Sequence, residues 1–182
     1  MSALEAIRAP LFVPADRSER FAKAAASGTD AIILDLEDAV ADGAKDAARA
    51  ALRRDFIELP VIVRINAIGS TAFESDLAAV ATLRPDAIML PKAEGADQIG
   101  SLTDVLPYPV IALIESARAL ANARAIAAAK GVALLAFGSI DLRRSALRPY
   151  PRGIGSCAFR TRFRVASNGH CRTARRGDCA AL

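Results

Sequence analysis

Short runs of apolar residues recur along the first 140 residues, and polar or charged residues follow each run. The runs are continuous rather than alternating, which is typical of parallel strands that are covered on both faces. They predict six buried strands, at residues 10–14, 31–36, 60–65, 87–90, 109–114 and 132–137.

Alanine-rich segments lie between these runs and predict helices. The helices are expected between Ser18 and Gly28, at 44–56, at 71–83, at 96–106 and between the last two strands. Strands that alternate with helices indicate an α/β protein with a parallel sheet and right-handed crossovers. An open doubly wound sheet and a (β/α)₈ barrel both fit this alternation, although a closed barrel has eight strands in about 250 residues.

The composition of the chain changes after Asp141. The net charge of the 182 residues is +4, but residues 1–141 carry about −5, and residues 142–182 carry about +9 with ten arginines. This tail has no helical face, and only 159–165 alternates weakly like a strand. We interpret it as an irregular, non-native segment such as an out-of-frame reading produces; a basic interaction tail and an unusual ordered subdomain remain alternatives.

Several classes of protein are not expected from this sequence. Residues 1–20 lack a signal peptide, and no apolar run approaches the ~20 residues of a spanning helix, so a cytoplasmic protein is expected. Nucleic-acid binding through the tail is a less favoured alternative function, because no reading motif accompanies the ten arginines. A zinc site is not expected either, because the tail lacks paired ligand spacing at Cys157, His170, Cys171 and Cys179.

Charged residues follow the predicted strands at their carboxyl ends, which meet at one rim of a parallel β/α fold. Glu115 and Asp141 follow the fifth and sixth strands and form half of a site for a hard divalent cation. Glu115 also suits the start of a helix, where the dipole favours a carboxylate. Lys92 raises the alternative of Schiff-base chemistry, which no other feature supports. The other charged residues at this rim are Asp35, Glu37, Asp38 and Arg64.

Six blocks of sequence carry a resemblance to a known family. They read LFVPADRSERFAKA, IILDLEDAV, VIVRINA, IMLPKAE, ALIESARAL and LLAFGSID. Over about residues 8–141 the chain resembles the citrate lyase β-subunit branch of the HpcH/HpaI aldolases, which are acyl-CoA lyases. The resemblance implies a Mg²⁺-dependent TIM barrel that cleaves or forms carbon–carbon bonds in β-hydroxyacyl-CoA thioesters such as citryl-CoA and malyl-CoA. It also implies a homo-oligomer, trimeric or hexameric, and a catalytic acid from the C-terminal region.

The resemblance implies roles for individual residues. Glu115 and Asp141 match the metal ligands, Arg64 matches the arginine that binds the substrate carboxylate, and all three would be catalytic. Glu115 would also contact substrate. Arg17 and Lys23 resemble the basic residues that approach the CoA phosphates. The acids Asp35, Glu37 and Asp38 would orient metal-bound water or Arg64, although Arg64 could simply pair with Asp35 or Glu37.

Two hypotheses follow for the whole chain. The first is a Mg²⁺-dependent lyase whose residues 1–141 form a partial TIM barrel of about six β/α units, with the last two units missing. The second is a non-catalytic truncated relative or a partner-binding subunit. A six-stranded arc leaves open edges, so we expect it to aggregate or to close through a partner. We also expect weak or no lyase activity from the isolated chain.

Overall fold

The computed structural model describes residues 3–139, 141 and 142, together with the backbone of residues 164–165 and 171–172. Apart from Leu142 and those two dipeptides, the tail predicted at 142–182 lies outside the described residues. Cys157, His170 and Cys179 of the rejected zinc site are among the residues left out, so that expectation stays untested. In the described part of the chain, no helix has the length and apolar character needed to cross a membrane.

Six parallel strands form one sheet, and their order in the sheet follows the chain. A doubly wound sheet would reverse its order at a switch point, whereas a barrel adds each strand beside the one before it. The sequential order therefore favours the barrel arrangement. The strands are β1 (Leu11–Pro14), β2 (Ile32–Asp35), β3 (Val61–Arg64), β4 (Ala87–Leu90), β5 (Val110–Ile114) and β6 (Val132–Phe137).

Helices connect these strands as the alternation predicts. Short 3₁₀ turns at Ser18–Arg20 and Asp42–Ala44 lead into the second and third of them. The helices are α1 (Ala3–Ala6), α2 (Phe21–Ala25), α3 (Lys45–Ala50), α4 (Phe73–Leu83), α5 (Ala96–Val105) and α6 (Ala117–Ala128). Two further strands, β7 (Arg164–Val165) and β8 (Cys171–Arg172), form a separate antiparallel pair.

The helix predicted at 44–56 is shorter than expected, because α3 ends at Ala50. Beyond it the chain makes tertiary contacts that a continued helix could not reach. Arg54 donates to the carbonyl oxygen of Arg84 at 2.5 Å and to Asp86 at 3.1 Å, and the Phe56 ring lies 5.2 Å from that of Phe21. These contacts override the local helical propensity.

The core has two layers, one on each face of the sheet. The larger layer packs the sheet against the helices, with strand residues such as Ile32, Val63 and Ile88. The smaller layer lies on the opposite face, where Ile33, Ile62 and Met89 are joined by Leu4 and Ile7 from the N-terminal helix α1. Burial on both faces explains why the strands read as continuous apolar runs.

Candidate active site

A buried ion pair joins the carboxyl ends of β2 and β3. Asp35 and Arg64 are register partners on these neighbouring strands. Arg64 donates to the two carboxylate oxygens of Asp35 from Nε at 2.7 Å and from Nη2 at 2.5 Å. Asp35 also accepts hydrogen bonds from the backbone N–H groups of Glu37 and Ala39. The strand register therefore fixes the arginine, and the bidentate geometry fixes the plane of its guanidinium group.

The other faces of the Arg64 guanidinium group are also defined. Its carbon lies 5.0 Å from the centre of the Phe12 ring on β1, a cation–π contact. Nη1 lies 3.2 Å from Oε2 of Glu37. Asp35 occupies the Nε/Nη2 edge, so a further anion would meet Arg64 at the Nη1/Nη2 edge, which retains N–H donors. The predicted pairing of Arg64 with Asp35 and Glu37 is confirmed, and it is compatible with a second anionic partner.

Glu37 lies at the centre of the site and is 5% exposed. Its Oε1 accepts a hydrogen bond from Nζ of Lys92 at 2.8 Å, whereas its Oε2 is buried without a hydrogen-bond partner. The segment that carries Glu37 is held by Lys45, whose ammonium group donates to the carbonyl oxygens of Leu36, Glu37 and Val40 at 2.9–3.3 Å. This carboxylate is thus rigidly placed among cations.

Glu115 follows β5 and is 5% exposed. Its Oε1 accepts the backbone N–H of Lys92 at 2.7 Å. The helix after it begins later than expected, because Ser116 caps α6 by accepting from the N–H of Ala119. Glu115 therefore lies in the loop at the strand end rather than in the first turn of the helix.

Asp141 lies in a helical turn after β6, where the N–H of Leu142 donates to the carbonyl oxygen of Gly138. Gly138 passes close to Glu115: a Cβ at this position would lie 2.7 Å from Cβ and 2.9 Å from Oε2 of Glu115. The negative charge of Asp141 contributes to the raised pKa of Glu115, so the two carboxylates share one electrostatic environment. The two predicted metal ligands thus follow neighbouring strands, and the charge of one acts on the other.

The two buried glutamates have raised pKa values. Burial raises the pKa of Glu37 above its usual value of 4.5, and the Lys92 and Arg64 cations oppose that rise only in part. Burial also raises the pKa of Glu115, and the charges of Glu37 and Asp141 raise it further. A cation bound near either carboxylate would stabilise its charged form and lower its pKa.

These residues fit a magnesium ion. Carboxylate oxygens are hard ligands, and Mg²⁺ is commonly held by one or two carboxylates while water and substrate fill its other positions. Among the described residues, His, Cys, Asp and Glu side chains nowhere form a group of three that could hold a metal. A two-carboxylate site at Glu115 and Asp141 agrees with both the donor chemistry and that finding.

The Schiff-base alternative at Lys92 does not fit the geometry. The hydrogen bond from Nζ to Glu37 raises the pKa of Lys92, and the nearby acidic charges raise it further. A lysine with a raised pKa is protonated at neutral pH and is not a nucleophile. Lys92 therefore acts in this site as a cation and, through its backbone, as a hydrogen-bond donor.

A cleft of about 350 Å³ opens beside this cluster, between the loops that follow β2, β3 and β4. Its wall includes Asn66, a polar residue that follows β3. The amide of Asn66 donates to Asp76 and to the carbonyl oxygen of Leu36, and Asp76 is fully buried and paired with Arg49. Sequence reasoning missed Asp76, although an acid among the apolar positions of α4 was an available signal. The cleft is lined by Glu37, Asp38, Val40, Ala41, Asp42, Lys45, Asn66, Ala67, Ser70 and Lys92.

Three predicted residues are less closely tied to the cluster. Asp38 is exposed on the cleft wall and acts on Glu37 and Arg64 through its charge. Arg17 and Lys23 are exposed, on the loop after β1 and on α2. Nε of Arg17 lies 3.9 Å from Oδ2 of Asp16, a loose pairing. A CoA-binding role for these two residues stays a prediction.

Comparison with known proteins identifies the family. The model of the HpcH/HpaI aldolase/citrate lyase family matches residues 8–148. The chain belongs to this family. The match begins where the sequence resemblance begins and extends seven residues beyond Asp141.

Individual relatives agree with this assignment. The chain is 48% identical over 133 residues to a citrate lyase subunit beta-like protein of Mycobacterium tuberculosis, covering 72% of this chain and 47% of the relative. It is 33% identical over 168 residues to a (3S)-malyl-CoA thioesterase of Cereibacter sphaeroides, and this match covers 85% of this chain and 59% of the thioesterase. The chain thus spans about half the length of the curated relatives it matches.

A solved structure confirms the fold. The M. tuberculosis citrate lyase-like protein, in complex with magnesium, acetoacetate and coenzyme A, matches with a TM-score of 0.71 and 44% identity, covering 82% of this chain and 56% of that one. The predicted partial TIM-barrel fold is thereby confirmed for the six-stranded part. Magnesium, the predicted cofactor, is present in this relative.

Proposed function

We propose that the chain is a Mg²⁺-dependent carbon–carbon lyase that acts on a β-hydroxyacyl-CoA thioester of the citryl-CoA or malyl-CoA type. The observation that carries the proposal is the convergence, in a chain of this family, of Arg64 and Glu115 at one rim through Glu37 and Lys92. The rim joins a site for a carboxylate to a site for a divalent cation.

The reaction defines what such a site must do. The β-hydroxyl group loses its proton and becomes a carbonyl, the bond between the α- and β-carbons breaks, and its electron pair passes to the thioester enolate. The enolate then takes up a proton to give the shorter acyl-CoA. The substrate must therefore be held by its carboxylate while negative charge moves toward the thioester.

Arg64 would bind the substrate carboxylate that flanks the β-carbon. Its Nη1/Nη2 edge offers two donors in a plane that Asp35 and Phe12 fix. Since the guanidinium group is already oriented, little rotational freedom is lost when the substrate binds. Glu37 would help to hold this edge in place, because its Oε2 lies 3.2 Å from Nη1.

Glu115 and Asp141 would hold the magnesium ion, as the fit of these carboxylates supports. When bound, the ion supplies Lewis acidity and a template for substrate oxygens. Glu115 is held for this role by the N–H of Lys92. Arg17 and Lys23 would contact the CoA phosphates. We also propose that the protein is cytoplasmic.

Thioester hydrolysis is a second candidate, because the (3S)-malyl-CoA thioesterase relative is 33% identical over most of this chain. A hydrolase would use the same carboxylate and metal sites but transfer the acyl group to water. The two reactions differ in their products: cleavage of malyl-CoA gives acetyl-CoA and glyoxylate, whereas hydrolysis gives free CoA and malate.

Product analysis tests the proposal. The full chain is incubated with malyl-CoA and with citryl-CoA, with Mg²⁺ or with EDTA, and the CoA species are separated by chromatography and mass spectrometry. We expect a low yield of acetyl-CoA in the presence of Mg²⁺, in line with the weak activity expected of the isolated chain, and none with EDTA. Free CoA without acetyl-CoA would establish the hydrolase, and the absence of both products would favour the non-catalytic hypothesis.

A matched pair of variants distinguishes an effect at the proposed site from a general loss of activity in the purified protein. Arg64→Lys keeps the charge but removes the planar fork, so we expect kcat/KM to fall by roughly 10- to 100-fold, the worth of one charge-assisted hydrogen bond of about 1.5–3 kcal/mol. Arg118→Lys is the control, because the Arg118 side chain is 77% exposed on α6. Equal loss in both variants would contradict the assignment of Arg64.

A further inference from the structure

Lys92 adopts a backbone conformation that its residue type rarely takes. Its φ is +50°, in the left-handed region. Among the described residues, the other non-glycine residue with positive φ is Arg84, which ends α4 in a common capping position. Lys92 lies instead in the turn after β4, where no helix ends. Strain of this kind persists only where its surroundings enforce it, and it concentrates at functional sites.

The two donor groups of Lys92 reach two different carboxylates. The backbone N–H donates to Oε1 of Glu115 at 2.7 Å, and the ammonium group donates to Oε1 of Glu37 at 2.8 Å. These carboxylates follow β5 and β2, on either side of β3 and β4. One strained residue therefore connects the carboxylate at the metal site with the cluster around Arg64.

We propose that Lys92 is a positioning residue whose left-handed backbone conformation holds the Glu115 carboxylate in its metal-binding orientation. The N–H fixes Oε1, and this places Oε2 against Gly138, where a Cβ would come within 2.9 Å of it. The backbone of residue 92 orients the Glu115 carboxylate of the metal site, whereas the ammonium group binds the Glu37 carboxylate. The inference rests on the proposed metal-binding role of Glu115 and deepens it.

The role of the backbone can be separated from that of the ammonium group. The variants for this test all lack the ammonium group and differ in their tolerance of positive φ. Glycine adopts this conformation readily and asparagine tolerates it, whereas the β-branched valine resists it. The metal-free full-length variants Lys92→Gly, Lys92→Asn and Lys92→Val are titrated with Mn²⁺, and the free ion is measured by electron paramagnetic resonance.

We expect Lys92→Gly and Lys92→Asn to bind Mn²⁺ within about twofold of the wild type, and Lys92→Val to bind about tenfold more weakly, since avoiding left-handed strain displaces the N–H from Glu115. A tenfold loss in Lys92→Gly would overturn the inference, because it would assign the metal site to the ammonium group. Wild-type affinity in a folded Lys92→Val would overturn it as well. If Lys92→Val does not fold, Lys92→Ala takes its place, because its Cβ also disfavours positive φ, and an affinity equal to that of Lys92→Gly would overturn the inference.

Failure of this inference is distinguishable from failure of the proposed function. A wild-type chain that binds Mn²⁺ but converts no thioester would contradict the proposed function, while the comparison of the variants would still stand. A chain that cleaves malyl-CoA with equal Mn²⁺ affinity in all folded variants would overturn the role of Lys92 alone. A wild-type chain that does not bind Mn²⁺ would overturn both.

Discussion

The side chain of Arg64 shows how single residues define this site. Asp35 holds one edge of the guanidinium group, Phe12 lies beneath one face, and Glu37 approaches Nη1. Burial lowers the pKa of Arg64, but the hydrogen bonds and charge of Asp35 outweigh it, so the net pKa is raised. The arginine is therefore a cation held in a fixed orientation.

Removal of the Asp35 charge tests the buried pair. Asp35→Asn leaves a buried guanidinium group without its partner, so we expect the free energy of unfolding to fall by about 3–5 kcal/mol. The control is Asp46→Asn, because Asp46 pairs with Arg49 but is exposed, and such pairs contribute about 0–1 kcal/mol. Both are measured by urea denaturation. Similar small losses in the two variants would show that the Asp35–Arg64 pair adds little.

Glu115 should destabilise the metal-free protein at neutral pH. Its pKa is raised on folding, so between its usual value and the folded value the folded state binds more protons than the unfolded state. The free energy of unfolding must then decrease as the pH rises through that window. Glu115→Gln removes this titration, so we expect the metal-free variant to gain stability over the wild type as the pH rises above the usual pKa of a glutamate.

Urea midpoints for both proteins in EDTA measure this difference. Below the usual pKa of a glutamate the midpoints of the two proteins should be alike. Added Mg²⁺ should raise the midpoint of the wild type only, since a ligand stabilises the state that binds it. A wild type that becomes more stable than Glu115→Gln as the pH rises, without metal, would contradict the raised pKa.

At the scale of the strands, the site depends on how closely neighbouring strand ends approach. The N–H of Gly138 donates to the carbonyl oxygen of Ile114, which brings the turn after β6 against the side chain of Glu115. The glycine is needed here because of this close approach, and Asp141 follows on the same turn. The two proposed ligands are thus placed by backbone pairing between β5 and β6.

Gly138→Ala should disturb this approach. The added methyl group would overlap the Glu115 side chain, and overpacking of this kind costs about 1–3 kcal/mol. Because Glu115 is a proposed metal ligand, we expect the Kd for Mg²⁺ to rise about tenfold or more. Gly100→Ala is the control, since it lies in α5 with nothing within 4 Å of the added Cβ and should stabilise the chain by about 0.5–1 kcal/mol. Unchanged Mg²⁺ affinity in Gly138→Ala would contradict this packing.

The elements also show what the sequence could reveal. All six strands were predictable because each one reads as a continuous apolar run, although only the inner strands β2 to β5 are buried on both faces. The end of β4 at Leu90 matches the prediction. The end of α3 was not predictable, because the contacts of Arg54 and Phe56 come from residues distant in sequence. The left-handed turn at Lys92 had no sequence signal either, since lysine does not favour it.

At the scale of the whole molecule, β1 and β6 are the outer strands of the six-stranded sheet. Leu11 and Phe12 on β1 are 39% and 45% exposed, which is more than a strand in the middle of a barrel would show. The division into an incomplete barrel at 1–141 and a basic tail at 142–182 stays a prediction, as does the weak activity expected of the isolated chain.

A homo-oligomer is expected because the outer strands present apolar side chains and backbone hydrogen-bonding groups. Light scattering after gel filtration should give a multiple of the chain mass, trimeric or hexameric according to the family resemblance. Dilution and Leu11→Arg should both lower that mass, whereas Leu120→Arg on α6, where Leu120 is also exposed, serves as the control. A monomer that melts cooperatively would contradict this prediction.

The most direct test of the account is a calorimetric titration of the metal-free full-length chain with Mg²⁺, beside Glu115→Gln and Asp141→Asn. Asp46→Asn, which changes an exposed acid on α3, is the control for charge alone. We predict one Mg²⁺ bound per wild-type chain, unchanged binding in the control and loss of binding in both site variants. Equal binding by the wild type and both site variants, or none by any of them, would contradict the assignment of the rim as a magnesium site.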